Sequence, residues 1–299
     1  MPRFRRADAV PSIEITPRDV EIMRQVNRHR FLRSKHITAL VSGSRQQTLR
    51  RLQILFHHGY LERPPCQIDY YQRGGSKSMA YGLGNRGAAF LRSNAGIPFG
   101  RMEWSGRNRS ITRLFLEHAL LISDFMVALE LACRQKGGLR LLLDEEIPLP
   151  ANADDKRTPF HWTVTVPQFG SIGVIPDRVF TLYKDASGES ILYFFEADRG
   201  TMPVKRAGLE RSSFQRKLIA YEATWKQAVH RTRFGIRRVR VLTVTSSVER
   251  EKHLIEACER LDCARGMFLF ATAPTLIETE DLLSLLWERP GQLESIPIL

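Results

Sequence analysis

Cysteine is scarce in this chain of 299 residues, which contains four. No CxxC pair occurs, and the nearest two cysteines are five positions apart, which is not a usual spacing for metal ligands. The cysteines also have no zinc-like pairing with the eight histidines. This distribution argues against a disulfide scaffold and against the common zinc folds. We expect four reduced thiols in a reducing compartment: Cys66, Cys133, Cys258 and Cys263.

Long apolar runs are also missing. The most apolar long stretch, residues 111–133, contains five charged or titratable residues: Arg113, Glu117, His118, Asp124 and Glu130. Such a stretch does not span a membrane. No apolar segment follows the basic residues at the start, which argues against a secretory signal. We therefore expect a cytoplasmic protein with no membrane partner.

The first third of the chain has few acidic residues. Residues 1–110 contain 20 Lys and Arg against 7 Asp and Glu, whereas residues 111–299 contain 25 of each. The formal net charge of +13 therefore lies entirely in the first third. A basic module typically binds nucleic acid, because each phosphate contact releases condensed counterions. The alternative is a well-solvated basic surface without a partner.

Three short helices separated by tight turns are predicted within the basic third. Thr16 caps the first, Ser34 caps the second, and Ser44 caps the third, which ends near Gly59. This pattern is typical of a helix-turn-helix. In the third helix Leu49, Leu52 and Phe56 share the inward face. Gln46, Gln47 and Arg50 lie on or beside the outer face, which enters a major groove.

A hairpin is predicted directly after the third helix, from a strand at residues 60–63 and a returning strand at residues 79–83. A hairpin in this position makes the module a winged helix, whose tip contacts phosphate. Glutamine can read adenine and arginine can read guanine. Seven side chains are candidate contacts to double-stranded DNA: Arg45, Gln46, Gln47, Arg50, Arg51, Arg73 and Lys77.

The domain prediction follows from these patterns. Residues 1–94 form the winged-helix domain, residues 95–110 a basic linker, and residues 111–299 a second domain. In the second domain the predicted order is helix, three strands, helix, strand, helix, strand. That order indicates an α/β core with a mixed sheet.

Three carboxylates stand out on the predicted strands of the second domain. Glu196 and Asp198 are two positions apart on a strongly apolar strand, so they share one face. Asp177 lies on the strand predicted over residues 173–183, which is expected to be the neighbour. Converging carboxylates suggest Mg²⁺ and a phosphodiesterase site. The alternative is a degenerate site, in which Arg178, Arg199 or Lys217 holds the acids in ion pairs.

The ordered set PD, then ExD, then an amphipathic helix resembles the PD-(D/E)XK nuclease fold. The resemblance implies a catalytic role for Asp177 and Glu196, although Asp198 occupies the position where lysine is usual. Lys217 and Tyr221 lie four apart on the next helix, so they share a face. They match the position of a Gln-x-x-x-Tyr motif, which makes Lys217 a candidate for a migrated catalytic lysine. His118 resembles a helical metal ligand and completes a candidate metal set with Asp177 and Glu196.

Four segments, LEHALLISDF, IPDRVF, FEADRGT and SFQRKLIAY, together with the winged helix, resemble the replication-relaxation family of plasmid and integrative-element proteins. The resemblance spans roughly residues 15–272. It implies a DNA partner, and other replication or mobilisation proteins are further candidate partners.

We therefore expect a DNA-binding protein of a mobile element, with a nuclease-like domain used for assembly, homodimerisation or DNA contact. DNA binding itself then requires no cofactor. The first alternative is an Mg²⁺-dependent site-specific endonuclease or nickase. The second is a dimeric regulator of transcription.

Overall fold

The computed structural model describes residues 4–68, 78–97, 104–150, 158–167, 169–205 and 213–299. The chain divides into two compact units, Met1–Val127 and Ala128–Leu299. Both units combine helices with sheet, and the predicted α/β class is confirmed. Within the described residues, no helix has both the length and the apolar character that crossing a bilayer requires.

The first unit contains three short strands and a set of helices. The strands are β1 (Phe31–Arg33), β2 (Leu61–Glu62) and β3 (Ala80–Leu83). The helices are α1 (Pro17–His29), α2 (Ser34–Leu40), α3 (Arg45–His57), α4 (Asn85–Ala95), α5 (Trp104–Ser110) and α6 (Arg113–Lys136). The division between the units falls within α6.

The predicted start of α1 is confirmed. Asp19 N donates to Thr16 Oγ1 at 3.3 Å, and Thr16 N donates to Asp19 Oδ2 at 2.8 Å, so the two residues form a capping box. Pro17 occupies the first helical position, where its missing N–H costs nothing. Ser44 is the N-cap of α3, as predicted, although its side chain makes no capping hydrogen bond.

Strand β3 is the middle strand of the small sheet and is antiparallel to both neighbours. The predicted pairing of β2 with β3 is confirmed, with Leu61 opposite Leu83. Strand β1 was not predicted. Three residues are too few to show a period-two pattern, and the hydrogen bonds that make them a strand come from β3.

The segment predicted as a linker, residues 95–110, contains the helix α5. Hydrogen bonds that involve buried polar groups join this helix to the rest of the first unit. Ser105 N donates to Asn85 Oδ1 at 2.7 Å, and Asn108 Nδ2 donates to Leu83 O at 2.7 Å. The sequence does not predict these contacts, because single hydrogen bonds produce no periodic pattern of apolar residues.

The second unit is built on a five-stranded mixed sheet. Its strands are β4 (Leu139–Leu143), β7 (Arg178–Lys184), β8 (Ser190–Asp198), β9 (Val239–Thr245) and β10 (Phe268–Thr272), in the order β10-β9-β8-β7-β4. Strands β8, β9 and β10 are parallel, whereas β7 is antiparallel to β8 and to β4. The helices are α7 (Phe214–Lys226), α8 (Val229–Thr232), α9 (Val248–Cys258) and α10 (Ala273–Glu278).

The single strand predicted over residues 173–183 is wrong. The chain forms β6 (Gly170–Val174), leaves the extended pattern at Pro176, and starts β7 at Arg178. Strand β6 pairs with β5 (Trp162–Val166) in a separate two-stranded hairpin. Proline removes a ladder hydrogen bond, which explains the break.

The core of the second unit lies between the sheet, the β5–β6 hairpin and helices α7 and α9. Trp162, Phe194 and Tyr221 pack there, with ring centroids 5.0 Å apart for Trp162 and Phe194 and 5.6 Å apart for Phe194 and Tyr221. On the other side of β8, Tyr193 stacks on Phe180 at 4.9 Å and donates to Ile298 O at 2.6 Å. This packing holds the carboxyl end of β8 rigidly.

Candidate functional site

The first candidate surface lies on α3. Arg45, Gln46, Gln47 and Arg50 are all exposed, whereas Leu52, Leu55 and Phe56 are buried. The helix therefore presents the polar side that the sequence predicts, with one difference: Leu49 is only half-buried. We name the four exposed residues the α3 surface.

Within the described part of the chain, Arg45, Gln46 and Arg50 form no hydrogen bond or ion pair, so their polar groups are available to a partner. Gln47 Oε1 accepts a hydrogen bond from Arg18 Nη1 at 3.1 Å. The predicted phosphate contacts Arg73 and Lys77 lie outside the described residues.

Arg51, the fifth predicted contact on α3, faces the interior of the first unit. Its Nε donates to Asp19 Oδ1 at 2.9 Å, its Nη2 also contacts Asp19, and Nη2 donates to Glu14 O at 3.1 Å. Asp19 is fully buried. Burial lowers the pKa of Arg51, but the hydrogen bond and the charge of Asp19 more than offset that effect and raise it. This guanidinium is therefore engaged in a structural ion pair.

Helix α2 is held by a second carboxylate, Asp124 on α6. His36 Nε2 lies 2.8 Å from Asp124 Oδ1, and Arg33 Nε and Lys35 Nζ lie 3.5 and 3.6 Å from the same oxygen. Burial raises the pKa of Asp124, but the hydrogen bond from His36 and the three nearby cationic or titratable groups outweigh it and lower the pKa. This cluster orients α2, which packs against α3.

The second candidate site is the carboxylate cluster, which we define as Asp177, Glu196 and Asp198. Strands β7 and β8 are neighbours, as predicted, with Arg178 opposite Phe195. Asp177, one residue before β7, accepts a hydrogen bond from Ala197 N at 2.8 Å. Glu196 and Asp198 are buried near the end of β8, with 2% and 5% of their surface exposed. The strand order therefore brings Asp177 beside the other two carboxylates.

Both oxygens of Glu196 accept a hydrogen bond from α7. Tyr221 Oη donates to Oε1 at 2.6 Å, and Lys217 Nζ donates to Oε2 at 2.5 Å. Ser213 caps α7 by accepting from Arg216 N at 3.3 Å, which fixes where the helix begins. Lys217 and Tyr221 then lie one turn apart on the side that faces β8.

Asp198 has a different set of partners. Arg250 near the start of α9 donates to it through Nε at 2.8 Å and Nη2 at 3.1 Å. Thr245, its register partner on β9, donates through Oγ1 at 2.8 Å. A two-pronged arginine contact of this kind is among the stronger pairings in proteins.

The electrostatics follow from burial and these partners. Burial, aided by the charge of Asp177 and opposed by the charge of Lys217, raises the pKa of Glu196 to about 7. Burial lowers the pKa of Lys217, but the attraction of Glu196, Asp177 and Asp198 outweighs it and raises the pKa. Burial also raises the pKa of Tyr221, so the phenol remains a neutral donor.

A divalent cation would have to displace protein donors from Glu196 and Asp198. The hydrogen-bonding oxygens of Glu196 and Asp198 already face cationic or hydroxyl donors, and His118 belongs to the other unit. Across the described residues, no three His, Cys, Asp or Glu side chains form a group that could hold a metal. Of the predicted metal set, Asp177 and Glu196 lie in the second unit and His118 lies in the first.

A cleft of about 220 Å³ opens beside Glu196, and its lining includes Met202, Arg216, Lys217 and Tyr221. It combines two basic side chains with a buried carboxylate that Lys217 partly neutralises. Such a lining can receive an anionic group at its rim while the carboxylate stays hydrogen-bonded.

Sequence reasoning missed Arg250, Thr245 and the structural role of Asp19. One signal was available for Arg250: Ser247 caps a helix directly after a parallel strand, so its first turn lies at the carboxyl edge of the sheet. Of the proposed ion-pair partners for the acids, Lys217 pairs with Glu196. Arg178 lies 3.7 Å from Asp144.

The comparisons with known proteins give one match. Residues 23–239 match the family described as replication-relaxation. No curated protein and no solved structure matches the chain.

Proposed function

The chain belongs to the replication-relaxation family, and we propose that it is a sequence-specific DNA-binding protein of a mobile element, acting in plasmid replication, relaxation, mobilisation or their regulation. Family membership supports a role in mobile-element replication or relaxation. The observation that carries the DNA-binding proposal is the α3 surface. Its arginines and glutamines are exposed within the part of the chain that holds the whole charge surplus.

In this proposal the first unit acts as a winged helix on double-stranded DNA. The element order α1, β1, α2, α3, β2, β3 supports that assignment. Helix α3 enters the major groove, where Gln46, Gln47 and Arg50 read base edges and Arg45 contacts phosphate. Arg73 and Lys77 stay predicted phosphate contacts of the wing.

Selection of duplexes from a random pool identifies the target site, after which binding of the Arg50→Ala variant tests the assignment. We expect a loss of about 1–3 kcal/mol in specific binding and relaxed preference at one base pair. Arg92→Ala is the matched control, because Arg92 is an exposed arginine on α4 of the same unit. Unchanged site binding by Arg50→Ala means that α3 is not the reading helix.

For the second unit we propose a nuclease-like module that assembles copies or partners, or contacts DNA, without cutting it. The ion pairs support this proposal, since Lys217 and Arg250 occupy the carboxylates that cleavage would need. A homodimer, or a complex with other replication or mobilisation proteins, is the expected assembly. DNA binding by the first unit needs no cofactor in this scheme.

A metal-dependent endonuclease or nickase is the second candidate function. The observation that favours it is Lys217, a lysine within hydrogen-bonding distance of Glu196 and close enough to Asp177 to feel its charge. In nucleases of this fold a lysine usually stands at the position that Asp198 occupies here. Lys217 would supply that positive charge, and Tyr221 would orient Glu196.

An incubation with supercoiled and linear DNA plus Mg²⁺ or Mn²⁺ separates the two candidates. The matched control is the Asp177→Ala/Glu196→Ala double variant. Cleavage by the native protein that disappears in the double variant supports the nuclease and overturns the binding-module proposal. Cleavage that survives the double substitution excludes a mechanism based on these carboxylates. No cleavage of any substrate supports the binding module.

A further inference from the structure

A second cleft opens at the opposite end of the main sheet from the carboxylate cluster. It measures about 440 Å³, and its lining includes Trp225, Arg237, Arg238 and Arg240. These residues lie at the end of α7 and the start of β9, whereas Glu196 and Asp198 lie near the end of β8. Six residues separate Val239 from Thr245 along β9, about 20 Å at the usual rise of a strand. We name this feature the arginine cleft.

The arginine cleft is basic on one side. Arg237 is exposed and has no hydrogen bond or ion pair within the described part of the chain. Arg238 is exposed and pairs with Glu189 at 3.1 Å, a surface contact that solvent and salt weaken. Arg240 is half-buried and donates to Ile298 O at 3.2 Å. No lining residue of the cleft is a carboxylate.

The other side of the cleft carries an aromatic ring. Trp225 is 37% exposed, which is unusual for a side chain of its size. Its indole stacks on the imidazole of His230, with ring centroids 4.6 Å apart and planes 3° from parallel. His230 is buried, and burial lowers its pKa. The stack fixes the plane of Trp225, so the ring is oriented before any ligand arrives.

An oriented aromatic ring that lines the same cleft as exposed guanidinium groups is the combination that binds an unpaired nucleotide. The ring stacks on the base, which every base permits because each has a π-face, and the arginines contact the phosphates. The volume of the cleft falls within the usual range for ligand sites. Paired bases are already stacked within a duplex and cannot use the ring in this way.

We propose that the arginine cleft binds single-stranded DNA, with one unpaired base stacked on Trp225 and the adjoining phosphates on Arg237 and Arg238. This goes beyond duplex recognition by the first unit. It gives the protein a contact for the unpaired strand that exists where a duplex is opened.

Fluorescence anisotropy of a labelled oligothymidylate tests the proposal on the full-length protein. We expect Trp225→Ala to weaken binding by at least about fivefold, the lower limit for loss of one base–aromatic stack. Trp225→Phe should retain most of the affinity, since phenylalanine still offers a ring. Arg237→Ala should weaken binding and flatten its salt dependence by about one phosphate contact.

Arg260→Ala is the matched control, because Arg260 is an exposed arginine on the same unit that does not line the cleft. It should bind the oligonucleotide as the native protein does. Equal losses for Arg260→Ala and Arg237→Ala would mean that only general charge matters and would overturn the proposal. So would native affinity in both Trp225→Ala and Arg237→Ala.

Two further measurements identify the ligand and distinguish single-strand binding by the arginine cleft from duplex binding by the first unit. Free thymidine monophosphate should compete only weakly; binding of the monophosphate with no binding of the oligonucleotide would overturn the assignment to single strands. The selected duplex should bind Trp225→Ala normally and Arg50→Ala poorly. A loss of oligonucleotide binding in Arg50→Ala but not in Trp225→Ala would assign single strands to the first unit and overturn the proposal.

Discussion

Two neighbouring arginines on α3 have opposite environments. Arg50 is exposed and has no partner in the described part of the chain, whereas Arg51 is held by the fully buried Asp19. Asp19 also closes the capping box of α1, so one carboxylate joins the start of α1 to the middle of α3. One position along a helix corresponds to a rotation of about 100°. Arg50 is therefore on the exposed side as a candidate DNA contact, whereas Arg51 reaches Asp19 and forms a structural ion pair.

The Arg51→Ala variant should lower the free energy of unfolding by about 1–3 kcal/mol, because Asp19 is left buried without its cation. Urea denaturation measures this loss. Arg50→Ala serves as the control, since it removes an equal charge from the exposed side and should leave stability unchanged. Equal stability of the two variants would contradict the assigned roles.

A second residue-scale prediction concerns Glu251 on α9. Burial, together with the charge of Glu288, raises its pKa from 4.5 to about 7. The folded state therefore keeps a proton that the unfolded state releases between these values. The contribution of Glu251 to the free energy of unfolding therefore falls as the pH rises from 4.5 to about 7.

Glu251→Gln should remove this pH dependence. Above pH 7 we expect the variant to be more stable than the native protein by on the order of 1–3 kcal/mol, and near the lower value of 4.5 we expect little difference. Thermal unfolding across the pH range is the measurement. Glu249→Gln, an exposed residue on the same helical turn, should show no such change. A pH-independent gain would argue against a titrating Glu251.

At the scale of elements, side-chain contacts join β8 to two helices that come later in the chain, α7 and α9. Helix α7 contributes Lys217 and Tyr221 to Glu196, and α9 contributes Arg250 to Asp198. Because β8, β9 and β10 are parallel, each helix returns along the sheet and starts near a carboxyl edge. The ion pairs are therefore consequences of the strand order.

Arg250→Ala should destabilise the second unit by about 3 kcal/mol or more, since it leaves the buried Asp198 with Thr245 alone. Chemical denaturation followed by tryptophan fluorescence reports the loss. Lys252→Ala, an exposed cation two positions along α9, should be neutral. In an Asp198→Asn background the cost of Arg250→Ala should shrink; an undiminished cost would show that Arg250 acts through packing rather than through the carboxylate.

Much of this element-scale architecture was predictable, and particular residues show why. The continuous apolar run of β8 predicts a buried central strand, and the Thr16 signal predicts the start of α1. The spacing of Glu196 and Asp198 predicts carboxylates on one face. Arg250 could not be assigned to Asp198 in this way, since the pair is 52 positions apart and depends on which strands become neighbours.

At the scale of the whole molecule, the chain consists of a basic segment followed by a segment with no net charge. Residues 1–110 hold the net charge of +13, and the neutral remainder contains both the carboxylate cluster and the arginine cleft. Within this neutral segment the three carboxylates and the three arginines lie at opposite ends of one sheet. Net charge alone would hide both.

The salt dependence of duplex binding should therefore respond mainly to the first third. The Arg45→Ala variant should reduce the slope of log affinity against log salt by about 0.9, because Arg45 is the proposed phosphate contact of α3. Titration of the selected duplex at several salt concentrations measures the slope. Lys252→Ala should leave it unchanged, and an equal reduction in that control would argue against a localised contact surface.

By itself, the amino-acid sequence determined the properties that depend on composition and short-range pattern. These are the charge asymmetry, the α/β class, the helix of the α3 surface and the common face of Glu196 and Asp198 on one strand. Only the tertiary structure decided the partners, which are Asp19 for Arg51 and Arg250 for Asp198. It also decided that Trp225 and the arginines at the start of β9 line one cleft. Periodicity records which side of an element is buried, whereas a partner depends on strand order and helix packing, which bring distant positions together.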